Sequence, residues 1–527
     1  MMKLTLALAL ACSIAPLAGQ APYQGNGVGN AFLEHTTARI GGTIDFRFGS
    51  PSAPGNIAVL GISDAYGTST HPIAGLIGLD LLGAFQSEGF VLDAQGEVAP
   101  QSPIPNIPSL AQLPPVFAQV AVFEPGGLIG TTKTTRVCWN NPGSFLPAGS
   151  MLAARGAHTA TAMQLSPGDQ ETRVFIAGGG GGSLLVPIGS ATTEVYSPLE
   201  QSSVAGPTMA NERALHTATL LPDGRVLIAG GADAAGNVTA QAEIYDPVTN
   251  SLTATGAMLN PRVGHSATLL DNGLVLVAGG LSNYTNPLTN LIGVLNTAQD
   301  TGELFDPATG QWLAVPGAMA SKHSGHAQTL LPDGRVLISG GIQGGQLGPF
   351  NIQLPLYTQS CSVYDPATNA FSSTGSLATA RAFHGASVLT NGDVLISGGS
   401  IAIAIFAQVA ASDSCERWNG TAWNNTAPLQ QPVTNHTQVA APDGSAIIIG
   451  GLTGSLPNLT GSAQTGVHDG SLFVAGVALG TNVGIPGSTA MPLGAQAATR
   501  LFDGSLLLLG GSDGVAPSAD SFRYQLP

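Results

Sequence analysis

From residue 156 onward, apolar and polar positions recur in one order. A polar start gives way to an apolar run, a tight turn, a second apolar run and a glycine pair, as in ALHTATLLPDGRVLIAGG at 214–231. Aligned on the histidine, the line reads GAHTATAMQL at 156, ALHTATLLPDG at 214, VGHSATLLDNG at 263 and SGHAQTLLPDG at 324. AFHGASVLTNG at 382 and TNHTQVAAPDG at 434 follow, and GAQAATRLFDG at 494 has Gln496 in the histidine column. The column stands at 158, 216, 265, 326, 384, 436 and 496, so its intervals are 58, 49, 61, 58, 52 and 60 residues. A period of roughly 50–60 residues in strand-like units predicts a propeller or a solenoid.

Each unit reads as four strands. Strand a is the HTATLL run, and a PDG, DNG or TNG turn follows, where glycine supplies a positive φ. Strand b is RVLIAGG or a variant, strand c ends in AEIYDP, GELFDP or CSVYDP, and strand d runs to GPTM, TGAM, PGAM or TGSL. Strands a and b are apolar with little alternation, the pattern of strands covered on both faces. The last unit stops at SFRYQLP, a strand c, with no strand d after it. GSFLPAGSM at 143–151 reads like NAFSSTGSL at 369–377, so this N-terminal segment can supply the missing strand and close a ring of seven blades. A six-bladed ring with a stray hairpin is the alternative.

The Gly-Gly after strand b, the aromatic-Asp-Pro after strand c and the bulky residue early in strand d (Trp312, Phe371, Trp423) together resemble the kelch repeat over residues 143–527. The resemblance implies an all-β fold, a seven-bladed kelch-type β-propeller, with residues 22–142 as a separate small β-sandwich domain. That N-terminal part lacks the repeat. Its strand-like runs (TIDFRFG, NIAVLGIS, GFVLD, PVFAQVAVFEP) are broken by Pro and Gly clusters. Its stretch SPIPNIPSLAQLPPVFAQVAVFEPGG resembles a module of secreted proteins from planctomycete-type bacteria.

Residues 1–21 read as a secretory signal: Lys3, the apolar run LTLALALACSIAPLA, then small residues. Cys12 in ALAC leaves a lipoprotein reading open, although Ala9 stands where Leu is usual. After this segment no apolar run reaches the ~18 residues of a spanning helix, so the expectation is a secreted or cell-surface protein without an integral membrane span. Charged residues are only 9% of the chain, the formal charge is −15, and Lys3, Lys133 and Lys322 are its lysines, which excludes nucleic-acid binding through a broad basic face. Cys138, Cys361 and Cys415 remain after the signal, an odd number. Cys361 and Cys415 hold the same place in adjacent units, too far apart for a bridge unless a loop shifts one strand.

Antiparallel order puts the a–b and c–d turns on one face of the ring. Asp246, Asp306 and Asp365 are expected to cap the c–d turns there, with Arg225 and Arg335 paired to Asp246 and Asp365. The other face carries the long b–c insertions 281–302, 342–360, 400–414 and 452–466, apolar and rich in Asn, Gln and Thr. Loops on one face of a repeat protein form its binding surface, and these suit a protein or neutral glycan partner.

Candidate ligand-face residues are Arg155, Arg213, Arg262, His323 and Arg381, which stand three places before the histidine column, and Phe350, Tyr357 and Phe406 in the loops. His158, His216, His265, His326, His384 and His436 read as structural. Equivalent positions are spread around an axis and cannot converge on one ion. Each is expected to point toward the next blade and bond a backbone group there.

Galactose oxidase and related copper radical oxidases use a similar ring, with ligands mostly one place before this histidine column. Here those places hold Ala157, Leu215, Gly264, Gly325, Phe383, Asn435 and Ala495. None is Tyr, Cys or His, so no cofactor or metal is expected, and noncatalytic recognition is the favoured reading. The rival is a secreted carbohydrate-active enzyme, of oxidase or epimerase type, with its site in the funnel.

Overall fold

A computed structural model of the chain describes strand segments between residues 32 and 137 as backbone. It then describes residues 145–165, 172–183, 186–287, 289–347, 352–403, 408–441, 443–455, 458–476, 496–501, 505–512 and 516–524. Residues 1–21, which the sequence reads as a secretory signal, and Cys138, Phe350, Phe406 and Ala495 lie outside the described residues. The chain divides into two compact units, with the main boundary between Pro142 and Gly143.

Among its described residues the first unit contains three antiparallel sheets, the smallest being the pair Tyr66–His71 and Gly75–Leu79. In a second, Thr43–Gly49 lies between Phe32–His35 and Glu97–Val98 and also pairs with Gln101–Pro103. The third runs Gly127–Thr131, Val116–Glu124, Ile57–Ser63, Phe85–Val91 in spatial order.

The second unit is a β-propeller, built from four-stranded antiparallel sheets in the order a-b-c-d. The second repeat shows the plan: strand a is Thr217–Leu220, b is Val226–Ala229, c is Ala242–Asp246 and d is Ser251–Ala254. Strand b is buried along its whole length because each face meets a different neighbour. Val226 and Ile228 pack with Phe175 and Ala177 of the preceding sheet, whereas Leu227 and Ala229 pack with Val275 and Val277 of the following one. This double coverage is why the sequence of strand b shows no period-2 alternation.

Every consecutive pair of sheets shares one such apolar cluster. The last cluster joins Leu507 and Leu509 to Val174 and Ile176 of the first repeat, so the circle closes. In the closing sheet Phe145–Ser150 lies beside Asp520–Tyr524, with Leu506–Leu509 and Ala497–Arg500 beyond it. Phe145 stands opposite Tyr524, their ring centroids 4.6 Å apart. The N-terminal GSFLPAGSM segment therefore supplies a fourth strand to the C-terminal repeat.

The outer strands are tied as well. Trp312 and Trp423 each reach the preceding sheet, donating an indole N–H to the Gly256 carbonyl (2.7 Å) and the Gly375 carbonyl (3.0 Å).

The turn face is plain. Asp246, Asp306 and Asp365 accept the backbone N–H two residues on, at 2.8, 2.9 and 2.8 Å. Arg225 and Arg335 depart from expectation. They pair with Asp223 and Asp333, the aspartates of their own PDG turns, both at 2.6 Å. A two-residue separation across a tight turn brings these groups together before strand c can compete. Cys361 and Cys415 are buried free thiols, each directed at the carbonyl two residues back, and burial pushes both up to about 12.

Candidate functional site

Where it occurs, the Arg-x-x-His lies on the loop-bearing side of a wall between sheets, and the structure gives the arginines structural partners throughout and the histidines in all but one case. The arginines are 0–2% exposed. Arg213 donates to the Gly230 and Gln241 carbonyls at 2.9 and 2.7 Å and to the Glu243 carboxylate at 2.9 Å. Its own carbonyl accepts the Gly179 N–H of the preceding sheet at 2.7 Å. One residue thus ties its own blade through the side chain and its neighbour through the backbone.

Arg155, Arg262 and Arg381 repeat the arrangement with Glu194, Glu303 and Glu416, at 2.9, 2.8 and 2.8 Å. The carboxylates also accept backbone N–H groups of the d–a link, as Glu416 does from Ala378 (2.7 Å) and Thr379 (3.1 Å). A buried ion pair is tolerable only when its remaining valences are met in this way. Where His323 replaces arginine, Nδ1 meets the Gly340 carbonyl at 2.5 Å and Ser362 stands in the glutamate place. Val433 replaces it once more, and there Gly466 stands in the glutamate place, opposite Ile448. The five residues offered as ligand-face candidates in this column therefore sit inside the wall.

Five of the six histidines point backwards, toward the preceding sheet, and bond hydroxyls there. This corrects the expected direction and the expected backbone partner. His216 Nε2 lies 3.0 Å from Thr159 Oγ1, and His265 Nε2 lies 3.0 Å from Thr217 Oγ1. His326 bonds Ser266 at 2.5 Å, His384 bonds Ser339 at 3.1 Å and His436 bonds Ser397 at 2.9 Å.

The hydroxyl comes from either member of one cross-strand pair. Thr159, Thr217 and Ser266 begin strand a opposite Ala177, Ala229 and Ala278. In the next two sheets the roles exchange, with Ala327 and Gly385 opposite Ser339 and Ser397. Burial and, for most, the arginine three places earlier hold His158, His216, His265 and His384 down at about 3; burial holds His436 at about 4 and His326 well below its usual value.

The glycine pair makes room for these rings. A Cβ on Gly230, at φ +65°, would stand 2.5 Å from the Arg262 oxygen and 2.7 Å from His265 Cε1. A Cβ on Gly231 would meet His216 Cβ at 2.9 Å. Gly230→Ala is therefore expected to cost about 3 kcal/mol or more in chemical unfolding, from strain and overpacking together. Gly224→Ala in the open turn (φ +85°, nothing within 4 Å) should cost only about 1–2 kcal/mol. Equal losses would contradict the close-approach reading.

The residue before each histidine forms the rim of the funnel. Ala157, Leu215, Phe383 and Asn435 have φ between 51° and 55°, and Gly264 and Gly325 have 62° and 60°. A belt of backbone hydrogen bonds joins them from sheet to sheet. Leu215 N–H donates to the Ala157 carbonyl (3.1 Å), Gly264 to Leu215 (3.0 Å), Gly325 to Gly264 (3.4 Å), Phe383 to Gly325 (2.7 Å) and Asn435 to Phe383 (3.0 Å). The left-handed conformation belongs to this belt. Phe383 is 40% exposed, and its ring lies over Gly325, where a Cβ would be 2.4 Å from it. No described rim position carries a charge or a copper-ligating side chain, and no group of three or more His, Cys, Asp or Glu among the described residues could hold a metal ion. The donor set for copper does not fit this rim.

The long loops are organised around the rim. Ala232, Leu281, Val294, Leu295, Ala298 and Ile342 pack together with Tyr284 and Tyr357 against them. Val294 and Leu295 belong to a short helix, Leu291–Leu295. Tyr357, the described member of the loop candidates, is half-buried there, and burial raises its phenol. The next two insertions join into one four-stranded sheet, Ser400–Ile403, Gln408–Ala411, Leu452–Ser455 and Asn458–Gly461, bridged where Ala410 faces Ser455.

No protein-family model matches the sequence, and no curated protein matches it. Among solved structures, YjhT is similar at 15% identity with a TM-score of 0.45, over 62% of this chain and 99% of that one. A fungal alcohol oxidase of the AA5 family, solved in complex with copper, is similar at 15% identity with a TM-score of 0.52, over 73% of this chain and 77% of that one. The second likeness shows a galactose oxidase-like propeller fold. Among the described residues, no helix is long and apolar enough to cross a membrane.

Proposed function

We propose that this chain is an exported bacterial protein that recognises a protein or a neutral glycan without catalysis, through the loop-bearing face of its propeller. In this reading residues 1–21 are a secretory signal, 22–142 a β-sandwich domain, and 143–527 a seven-bladed kelch-type propeller closed by strand 143–151. The protein acts as a secreted or cell-surface component and needs no cofactor.

The observation that supports the reading is the rim. The positions best placed for chemistry hold Ala157, Leu215, Gly264, Gly325, Phe383 and Asn435, while the recurrent Arg and His are consumed in the walls. An exposed aromatic ring amid neutral groups, bordered by packed loops, suits a partner held by apolar contact and neutral hydrogen bonds. A carbohydrate oxidase is the other reading, and its support is the fold likeness to the copper-bound fungal enzyme. Metal analysis of the purified full chain after exposure to Cu(II) and Zn(II) separates the two. The expected result is no stoichiometric metal. One copper or zinc per chain would overturn the noncatalytic reading.

A further inference from the structure

We infer that the wall between the last sheet and the first is the ring's opening point, a weakened joint built into an otherwise uniform set. In five walls an imidazole of one sheet bonds a hydroxyl of the sheet before it. In a sixth, Gln496 takes the histidine place and donates its amide to the Ile449 carbonyl at 3.0 Å.

At the closing wall the two cross-paired positions that could supply a hydroxyl hold Ala497 and Leu509. His158 faces them with both ring nitrogens buried and neither one bonded to a hydroxyl, and the Leu509 backbone is the polar group that acts on its ring. Among the described residues the tie beside it is also the longest of its kind. Gly511 N–H reaches the Arg155 carbonyl at 3.2 Å, against 2.7–2.8 Å for the equivalent bonds at Gly179, Gly231, Gly280, Gly341 and Gly399.

A buried polar group left without a partner opposes closure of the wall that buries it. Away from His158 the closing wall keeps an apolar cluster, the bond from the Tyr196 hydroxyl to the Ala148 carbonyl and the bond from the Ala162 N–H to Thr499 Oγ1 at 3.1 Å. Phe145–Ser150 and Asp520–Tyr524 pair within the last sheet, so their ladder holds its outer edge, and Ala148 in that edge carries the contact with Tyr196. The first and last sheets can therefore part at His158 while every sheet keeps its own ladder. This joint belongs to the ring alone and is the same whether the loop-bearing face binds a glycan, a protein or neither.

Hydrogen–deuterium exchange on the intact chain tests it. Backbone amides of 156–164 and 505–511 should exchange about tenfold faster than those of 383–388 and 336–341, which flank the His384–Ser339 wall. Ala497→Thr places at the closing wall the residue that Thr159 and Thr217 supply elsewhere, and it should slow exchange there several-fold. Ser397→Ala removes the partner of His436 and should loosen that wall to a similar degree. Equal protection of the walls in the unaltered chain, or no loosening by S397A, would overturn the inference.

Discussion

Arg381→Val is expected to destabilise the propeller by about 3–5 kcal/mol, because it strands the Glu416 carboxylate in a site from which water is excluded. Both side chains are 0% exposed. The Arg381 guanidinium also bonds the Gly398 and Ser414 carbonyls, at 2.7 and 2.8 Å, so its loss opens the end of strand b as well. Adding Glu416→Gly recreates the Val433 and Gly466 combination of the next sheet. The double variant should recover at least half of the loss, despite the roughly 1 kcal/mol that a glycine costs inside a strand. Denaturant unfolding of the two single variants and the double variant gives the coupling directly. Losses that simply add would show that the two residues do not act as a pair.

Acid is expected to unfold the ring steeply between about pH 6 and pH 4. The buried histidines His158, His216, His265 and His384 are held at about 3, and His436 at about 4, chiefly by burial. An unfolded histidine takes a proton near 6.5. Between these values the unfolded chain binds protons that the folded chain refuses, so stability is full above 6.5 and falls with pH. Each such group contributes about 1.4 kcal/mol per pH unit, and several together exhaust a marginal stability of about 5–15 kcal/mol within a few units. His216→Gln, the residue that Gln496 already places in this column, should make the slope shallower by one proton. Thermal unfolding followed from pH 7.5 to 4 reads this as Tm against pH. A flat profile across that window would contradict neutral, buried imidazoles.

The repeat, the strand order and the supply of a fourth strand by GSFLPAGSM are legible in the chain because each depends on local pattern. Strand b announces its two covered faces by unbroken apolar residues, and the PDG and glycine-pair signals bracket it. The wall role of the histidines follows from symmetry alone. Their direction does not, because it depends on the rotation between sheets, which no local pattern carries.

The arginine column points to a ligand face in the sequence and to the wall in the structure for a similar reason. Its partners Glu194, Glu243, Glu303 and Glu416 lie beyond the b–c loop, and that loop varies in length from unit to unit. A signal is present nonetheless. Glutamate stands early in strand c wherever arginine precedes the histidine by three, and Ser362 or Gly466 stands there when His323 or Val433 replaces it. The exchange of hydroxyl between Thr217 and Ser339 type positions is equally readable once the two strands are known to pair.

The most direct test of recognition at the loop-bearing face is binding of the full chain to a glycan array and to immobilised extracellular proteins, compared with two variants of equal stability. One carries Phe383→Ala with the 342–360 and 400–414 loops shortened. The other carries Asp246→Asn and Asp365→Asn on the turn face. Binding should survive the turn-face changes and be lost with the loop-face ones. Binding that persists without Phe383 and both loops would contradict the account.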